Sequence, residues 1–157
     1  MAMYNNTKKD LFEISFIAEK SVCQKSIINR LLKKNSIAEN QLIFIPYLNI
    51  DIVASIYDEP EYDYVELCIS IFNQTFKRDT FETDIKVITK LVTMFFKENH
   101  SFKYALCSFE TNGYILSHFK NINDMNLATL EEDFPIIYIN HEPLTIIIKP
   151  QAQNLFD

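Results

Sequence analysis

The side chains best suited to catalysis are a cysteine and a histidine on either side of the chain's single glycine. Cys107 and His118 flank Asn112-Gly113, a dipeptide typical of two-residue β-hairpin turns. A hairpin centred there places Cys107 opposite His118 and Phe109 opposite Leu116, and a thiol beside an imidazole is the minimum for nucleophilic catalysis. That face also carries two apolar side chains, and the flanking residues match no thiol-hydrolase signature. We therefore expect buried core positions and no enzyme activity.

Metal and cofactor chemistry is not indicated either. His100, His118 and His141 never lie within four residues of each other or of a cysteine, so a zinc site would need ligands gathered wholly by the fold. The acidic stretch from Asp58 to Asp63 lacks the ligand spacing and central glycine of an EF-hand loop. Gly113 is the only glycine, which excludes glycine-rich phosphate loops. We expect no metal and no cofactor.

Paired carboxylates for sugar hydrolysis are a third chemistry to weigh. Any two of the 21 acids could face each other across a cleft. Glycosidases commonly use tryptophan platforms, however, and this chain contains no Trp. We expect most of its acids to be solvated surface residues.

The most distinctive stretch is YDEPEYDYVE, residues 57–66, with five acids, three tyrosines and no base. One interpretation is a hairpin tip whose charges keep it soluble and discourage edge pairing. The other is a contact surface, because unopposed acids generate a field and tyrosines are enriched at protein interfaces. The tract LEEDF, residues 130–134, adds a second acidic site with an aromatic edge. On the second interpretation the primary contact patch is Tyr57, Asp58, Glu59, Glu61, Tyr62, Asp63, Tyr64 and Glu66, and the secondary patch is Glu131, Glu132 and Asp133.

The charge distribution indicates the kind of partner. The chain carries a net charge of −6, divided as +3 over residues 1–50 (seven bases, four acids) and −9 over residues 51–157 (eight bases, 17 acids). Such a negative region repels nucleic acids and anionic lipids, and it attracts basic proteins. We expect a basic protein partner, with no direct nucleic-acid binding and no membrane binding.

Length and composition favour one cytoplasmic domain. The 157 residues, 48% of them hydrophobic, can form one substantial core over residues 1–157, and we expect about residues 1–9 and 151–157 to fray. No apolar run approaches a membrane span, and the N-terminal residues do not resemble a signal peptide. Cys23, Cys68 and Cys107 lie among apolar neighbours, which is typical of reduced core thiols.

Two amphipathic helices are predicted. In the first, Ser21 and Gln24 have the spacing of a capping box and precede a stripe of apolar residues. The opposite face of this helix is basic, and we expect it to be exposed to solvent. The second runs from about Thr83 to Asn99, with Thr83 or Asp84 as N-cap. The apolar stripes are Cys23, Ile27, Ile28, Leu31 and Leu32 in the first helix, and Ile85, Ile88, Leu91, Val92 and Phe95 in the second.

Outside the two helices, the alternation of apolar and polar residues predicts strands. LFEISFIAE, residues 11–19, indicates a first strand, and YVELCISIF alternates clearly from Val65 to Ile71. QLIFIPYL and IDIVASIY are two short strands or one bent strand, with Pro46 favouring an edge. The strands around the acidic stretch should pair with residues 58–63 as the hairpin tip, and FPIIYIN and LTIIIK form a last hairpin. This order predicts an α+β fold with two helices on an antiparallel or mixed sheet, and an echo between EISFI and CISIF suggests two tandem strand-helix-strand-strand units.

The chain resembles immunity proteins of bacterial toxin systems, including those that guard against contact-dependent growth inhibition. The resemblance rests on the segments YDEPEYDYVE and LEEDF and on the acidic, glycine-poor, α+β character of the chain. The resemblance implies a non-catalytic cytoplasmic inhibitor that binds its cognate toxin, often a basic nuclease. The suggested duplication is similar to effector-binding domains of bacterial regulators. That alternative implies a groove for hydrophobic or cationic small molecules, with a buried glutamate such as Glu110 facing the ligand.

Overall fold

A seven-stranded sheet organises the protein. The computed structural model describes residues 11–72, 81–109, 115, 118–150 and 152. Within them the strands are β1 (Leu11–Glu19), β2 (Leu42–Ile45), β3 (Ile50–Tyr57), β4 (Tyr64–Phe72), β5 (Phe102–Phe109), β6 (Ile136–Ile139) and β7 (Thr145–Ile148). The helices in the same residues are α1 (Lys25–Lys34), α2 (Phe81–Glu98) and α3 (Leu127–Asp133), with a 3₁₀ turn at Ile122–Asp124.

The sheet is open and its strand pairs are antiparallel. Its order is β2-β3-β4-β1-β5-β6-β7, so β1 is central and β2 and β7 are the edges. β1 pairs with β4 over its whole length, from Leu11 opposite Phe72 to Glu19 opposite Tyr64. This register brings the β1–α1 connection next to the β3–β4 turn.

Alternating side chains give the sheet two different faces. On one, which we call the helix face, Phe12, Ile14 and Phe16 of β1 pack in one buried cluster with residues of α1 and α2. Phe16 is the centre of this core, because its ring lies 5.1 Å from that of Phe95 and 5.3 Å from that of Phe102. Burial of such apolar stripes supplies most of the stability of short helices.

The opposite face, which we call the second face, is covered unevenly. A second cluster places Ile122, Met125 and Leu130 over Ile17 of β1 and Leu106 of β5. Over β2 and β3 the side chains on this face are more exposed, with Leu42 at 58% and Phe44 at 53%. The second face therefore has a covered half over β1, β5 and β6 and a more open half toward β2.

Several sequence predictions are confirmed. β1 has the predicted bounds, the strands around residues 58–63 form a hairpin, and β6 and β7 form the last hairpin. β2 and β3 are two strands separated by a turn, with β2 at the edge as Pro46 indicated. The cysteines Cys23, Cys68 and Cys107 are free and buried. The predicted ends, residues 1–9 and 151–157, lie outside the described residues apart from Ala152.

Other predictions are wrong. The predicted pairing of Cys107 with His118 across a hairpin is wrong, because β5 pairs with β1 and β6 on its two edges and because Ile115 and His118 are helical. Asn112 and Gly113 themselves lie outside the described residues. Gln24 caps α1 without a side-chain hydrogen bond, so the capping box is absent. α2 begins at Phe81, before Thr83 and Asp84, so neither residue is its N-cap. A third helix, α3, lies in a stretch for which no element was predicted. The two tandem units are not confirmed.

Candidate functional site

The acidic stretch forms the connection of the β3–β4 hairpin. Tyr57 ends β3 and lies opposite Glu66 of β4, and residues 58–63 join the two strands. The loop is tightened by a hydrogen bond from the Tyr62 N–H to the Glu59 carbonyl oxygen at 3.2 Å. It lies at the end of the sheet where β1 leads into α1.

Lys20 contacts both ends of this loop. Its ammonium lies 3.0 Å from Asp58 Oδ1 and donates to the Glu59 carbonyl oxygen at 2.6 Å. Its backbone N–H donates to the carbonyl oxygen of Asp63 at 2.8 Å. One residue therefore holds both ends of the loop, and Asp58 is already neutralised by the chain's own base.

Asp63 and Tyr64 also attach the loop to Ile115, Phe119 and Ile122. Asp63 Oδ1 accepts a hydrogen bond from the Ile122 N–H at 2.7 Å. The buried Tyr64 hydroxyl donates to the Phe119 carbonyl oxygen at 2.6 Å, with the carbonyl oxygen of Ile115 at 3.2 Å. Burial is the main reason why the pKa of Tyr64 is raised above its ordinary value. The loop is therefore held at both ends by backbone and side-chain bonds.

These contacts bring three segments together in what we call the acidic tip: residues 19–20, 58–63 and 120–124. The acidic tip contains six carboxylates and two lysines, a formal charge of 2 − 6 = −4. Glu59 and Glu61 are exposed, and within the described part of the chain their carboxylates form no ion pair. Their charge points into solvent from an anchored loop.

The structure corrects the predicted patch. Tyr64 is 1% exposed and Glu66 is 4% exposed, so neither belongs to a contact surface. Both lie on the second face of β4, where the chain itself covers them. Tyr57 and Tyr62 are half-buried, with the Tyr62 ring 5.6 Å from that of Tyr64. The exposed patch is therefore more acidic and less aromatic than the sequence suggested.

The secondary acidic residues lie elsewhere. Glu131, Glu132 and Asp133 form the last turn of α3, with Glu132 and Asp133 exposed. α3 leads into β6, which starts opposite Cys107 and runs toward Tyr104 at the end of the sheet that carries the acidic tip. The two acidic segments therefore lie toward opposite ends of the sheet.

A buried polar cluster on the second face was missed. Glu13 accepts hydrogen bonds from the Cys68 thiol at 3.0 Å and the Ser70 hydroxyl at 3.5 Å. Ser15, opposite Cys68, is fully buried, and its hydroxyl has no hydrogen-bond partner among the described residues; the same holds for Glu66 Oε1. The alternation of YVELCISIF had indicated that Glu66, Cys68 and Ser70 share a face. It could not indicate that β1 supplies a second glutamate to the same cluster.

Burial controls the acid–base properties of this cluster. Desolvation raises the pKa of Glu66 to about 7, the nearby Ser15 hydroxyl lowers it, and the Glu13 carboxylate raises it further. Desolvation likewise raises the pKa of the Cys68 thiol, with Glu13 and Glu66 adding to the effect. A thiol with a raised pKa is a poor nucleophile, so the cluster does not activate Cys68.

The predicted Cys107–His118 pair does not form. Cys107 packs in the core of the helix face, whereas His118 is exposed and belongs to the segment that covers the second face. Burial raises the pKa of Cys107, as expected for an inert core thiol. His100 and His141 line one small groove of about 170 Å³ together with Glu142. Within the described residues, however, no three His, Cys, Asp or Glu side chains are grouped so that they could hold a metal ion.

Comparisons with known proteins add no assignment. None of the helices in the described ranges is both long enough and apolar enough to cross a membrane. No family model, no curated protein and no solved structure matches the chain.

Proposed function

We propose that the protein is a non-catalytic inhibitor that binds a basic partner protein through the acidic tip. More specifically, we propose that it is an immunity protein that neutralises a cognate bacterial toxin, such as a basic nuclease, in the cytoplasm. The observation that carries the proposal is the placement of Glu59 and Glu61: both are exposed and without an ion pair in the described chain, on a loop fixed at both ends. A fixed loop loses little conformational entropy when it binds.

The magnitudes indicate what these charges do. An exposed ion pair contributes only about 0.2 to 1 kcal/mol, so two free glutamates cannot supply high affinity. A concentrated field instead raises association rates by roughly 10- to 1000-fold at low salt. Tyr62 and Tyr57, half-buried beside the loop, offer the aromatic contact area that slows dissociation.

Neutralisation of a toxin is tested by co-expression with the product of the gene immediately upstream, because an immunity gene normally follows its toxin. We expect growth to be rescued by the protein and the two products to purify as a complex. Rescue should weaken when Glu59 and Glu61 are both replaced by Gln. An upstream product that is harmless, or that binds the double variant as well as the natural chain, would contradict the proposal.

Binding of a small effector is a second candidate, and the buried polar cluster is the observation that favours it. Glu13 and Glu66 are buried carboxyl groups on one sheet face, and a cationic ligand would compensate their charge. Glu110, the glutamate first considered for this role, lies outside the described residues. A thermal-shift screen with hydrophobic cations tests this candidate, since a ligand that binds the native state raises the melting temperature. If no cation raises it, the candidate fails.

A further inference from the structure

The two edges of the sheet differ in charge and in protection. β2 is an edge strand of four residues, LIFI, with no charge and no proline inside it. Leu42 and Phe44 point from it on the second face and are 58% and 53% exposed. Natural proteins usually protect edge strands with lysine, proline or a bulge, because an unpaired edge is a template for another strand. β2 contains no lysine, proline or bulge within its four residues, and Pro46 follows it directly.

Backbone bonding supports a free edge at β2. The neighbouring part of β3 is covered by residues 39–40: the Asn40 N–H donates to the Ala54 carbonyl oxygen at 2.7 Å, and Glu39 Oε2 accepts from the Ile56 N–H at 3.1 Å. Leu42, Ile43 and Phe44 pair with β3 on one side. In the part of the chain that the structure describes, they form no backbone hydrogen bond on the other side.

The stretch of sequence that contains β2 is acidic. Residues 35–72 contain seven acids and no Lys, Arg or His. Asp51 lies directly opposite Phe44 in the β2–β3 register and is half-exposed on the same face. Strands lie about 4.8 Å apart, so a strand added beyond β2 would be two spacings from Asp51, within reach of a long basic side chain.

The opposite edge has a different character. β7 also exposes isoleucines, Ile146 at 39% and Ile148 at 44%. The groove of about 710 Å³ beside Ile148 is lined by Lys86 and Lys149 against one acid, Glu82. A basic segment is therefore attracted to β2 and not to β7.

From these observations we infer that an extended segment of the partner, bearing lysine or arginine at alternate positions, adds to the outer edge of β2 as an eighth strand. The inference rests on the proposed function, because it takes the partner to be a basic protein. Main-chain hydrogen bonds give such an interface its affinity, and side-chain contacts on alternate residues give its specificity. Here Leu42 and Phe44 offer the apolar contacts, and Asp51 selects a cation.

The test uses a labelled ten-residue peptide of alternating Lys and Val, N-methylated along one edge so that it cannot stack on itself. We expect it to bind the full chain and to shift the amide resonances of β2 but not those of β7. Phe44→Lys should weaken binding at least tenfold, and the matched variant Ile146→Lys on the other edge less than twofold. A Glu/Val peptide of the same length should bind at least tenfold more weakly.

The outcomes separate this inference from the proposed function. No peptide binding, equal binding of the acidic peptide, or equal effects of the two lysine variants would overturn the edge inference. Self-association that rises with protein concentration and disappears in Phe44→Lys would also overturn it, since a second copy would then occupy the edge. If Phe44→Lys alone abolishes peptide binding while the Glu59→Gln/Glu61→Gln variant binds the upstream product normally, the edge inference stands and the proposal for the acidic tip falls.

Discussion

The ammonium of Lys20 lies 3.0 Å from the carboxylate of Asp58, so the acidic hairpin tip contains one internally paired charge. The same ammonium donates to the Glu59 carbonyl oxygen at 2.6 Å. This arrangement divides the acids of the loop into two kinds. Asp58 and Asp63 hold the loop in place through contacts within the chain, whereas Glu59 and Glu61 are available to another molecule.

Lys20→Met should make the acidic tip more attractive to a basic partner. Its formal charge changes from −4 to −5, so we expect faster association with the upstream product at low salt. The free energy of unfolding should fall by less than about 1 kcal/mol, because the pair is partly exposed. Stopped-flow mixing and urea titration measure the two effects. Slower association would show that Lys20 itself, or the loop order it maintains, is needed for binding.

Stability should depend on the protonation of Glu66. Its folded pKa of about 7 lies above the ordinary value of 4.5, so between these values the folded protein binds a proton that the unfolded chain has released. The folded state is therefore favoured at low pH, and its stability is lost as pH rises from about 4.5 through about 7.

Glu66→Gln tests this linkage. The variant should be more stable than the natural chain at pH 8 by on the order of 3 kcal/mol and nearly equal to it at pH 4.5. Urea titrations at the two pH values measure the difference, with Glu61→Gln as an exposed control that should show little change. If Glu66→Gln gives the same difference at both pH values, Glu66 does not carry the proton.

Tyr64→Phe should loosen the attachment of β4 to Ile115 and Phe119. The variant leaves the Phe119 carbonyl oxygen without its buried donor, at a cost of about 1 to 3 kcal/mol. Tyr104→Phe is the matched control, because Tyr104 lies in the same core cluster and its hydroxyl forms no hydrogen bond with the described residues. Hydrogen exchange should accelerate at Phe119 and Ile122 in Tyr64→Phe alone. Equal exchange in the two variants would contradict this role of the Tyr64 hydroxyl.

Sequence periodicity was sufficient to predict those elements whose structure depends on the pattern of apolar residues within the segment itself. The bounds of β1, the β3–β4 hairpin and the apolar stripe of α2 follow from alternation or helical spacing within each segment. The pairing of Cys107 with His118 that Asn112-Gly113 suggested is wrong because tertiary pairing overrides a local turn preference. Both edges of β5 are taken by β1 and β6, the second of which lies 27 residues further along the chain.

The candidate site was predictable only in part, for the same reason. Composition identified the acidic stretch, but burial depends on what the fold places over each side chain. Tyr64 and Glu66 alternate with the core residues of β4, and the sequence alone does not show that the second face is covered there. The pairing of Asp58 with Lys20 joins residues 38 positions apart, so no local pattern reports it.

The most direct test of the central claim is the association rate of two charge-matched variants with the upstream gene product. Glu59→Gln/Glu61→Gln removes the two free charges of the acidic tip, and Glu82→Gln/Glu98→Gln removes two exposed charges from α2. At low ionic strength we expect the tip variant to associate about tenfold more slowly than the α2 variant, and we expect the difference to shrink as added salt screens the field. Equal rates for the two variants at low salt would contradict the claim that the acidic tip recruits the partner.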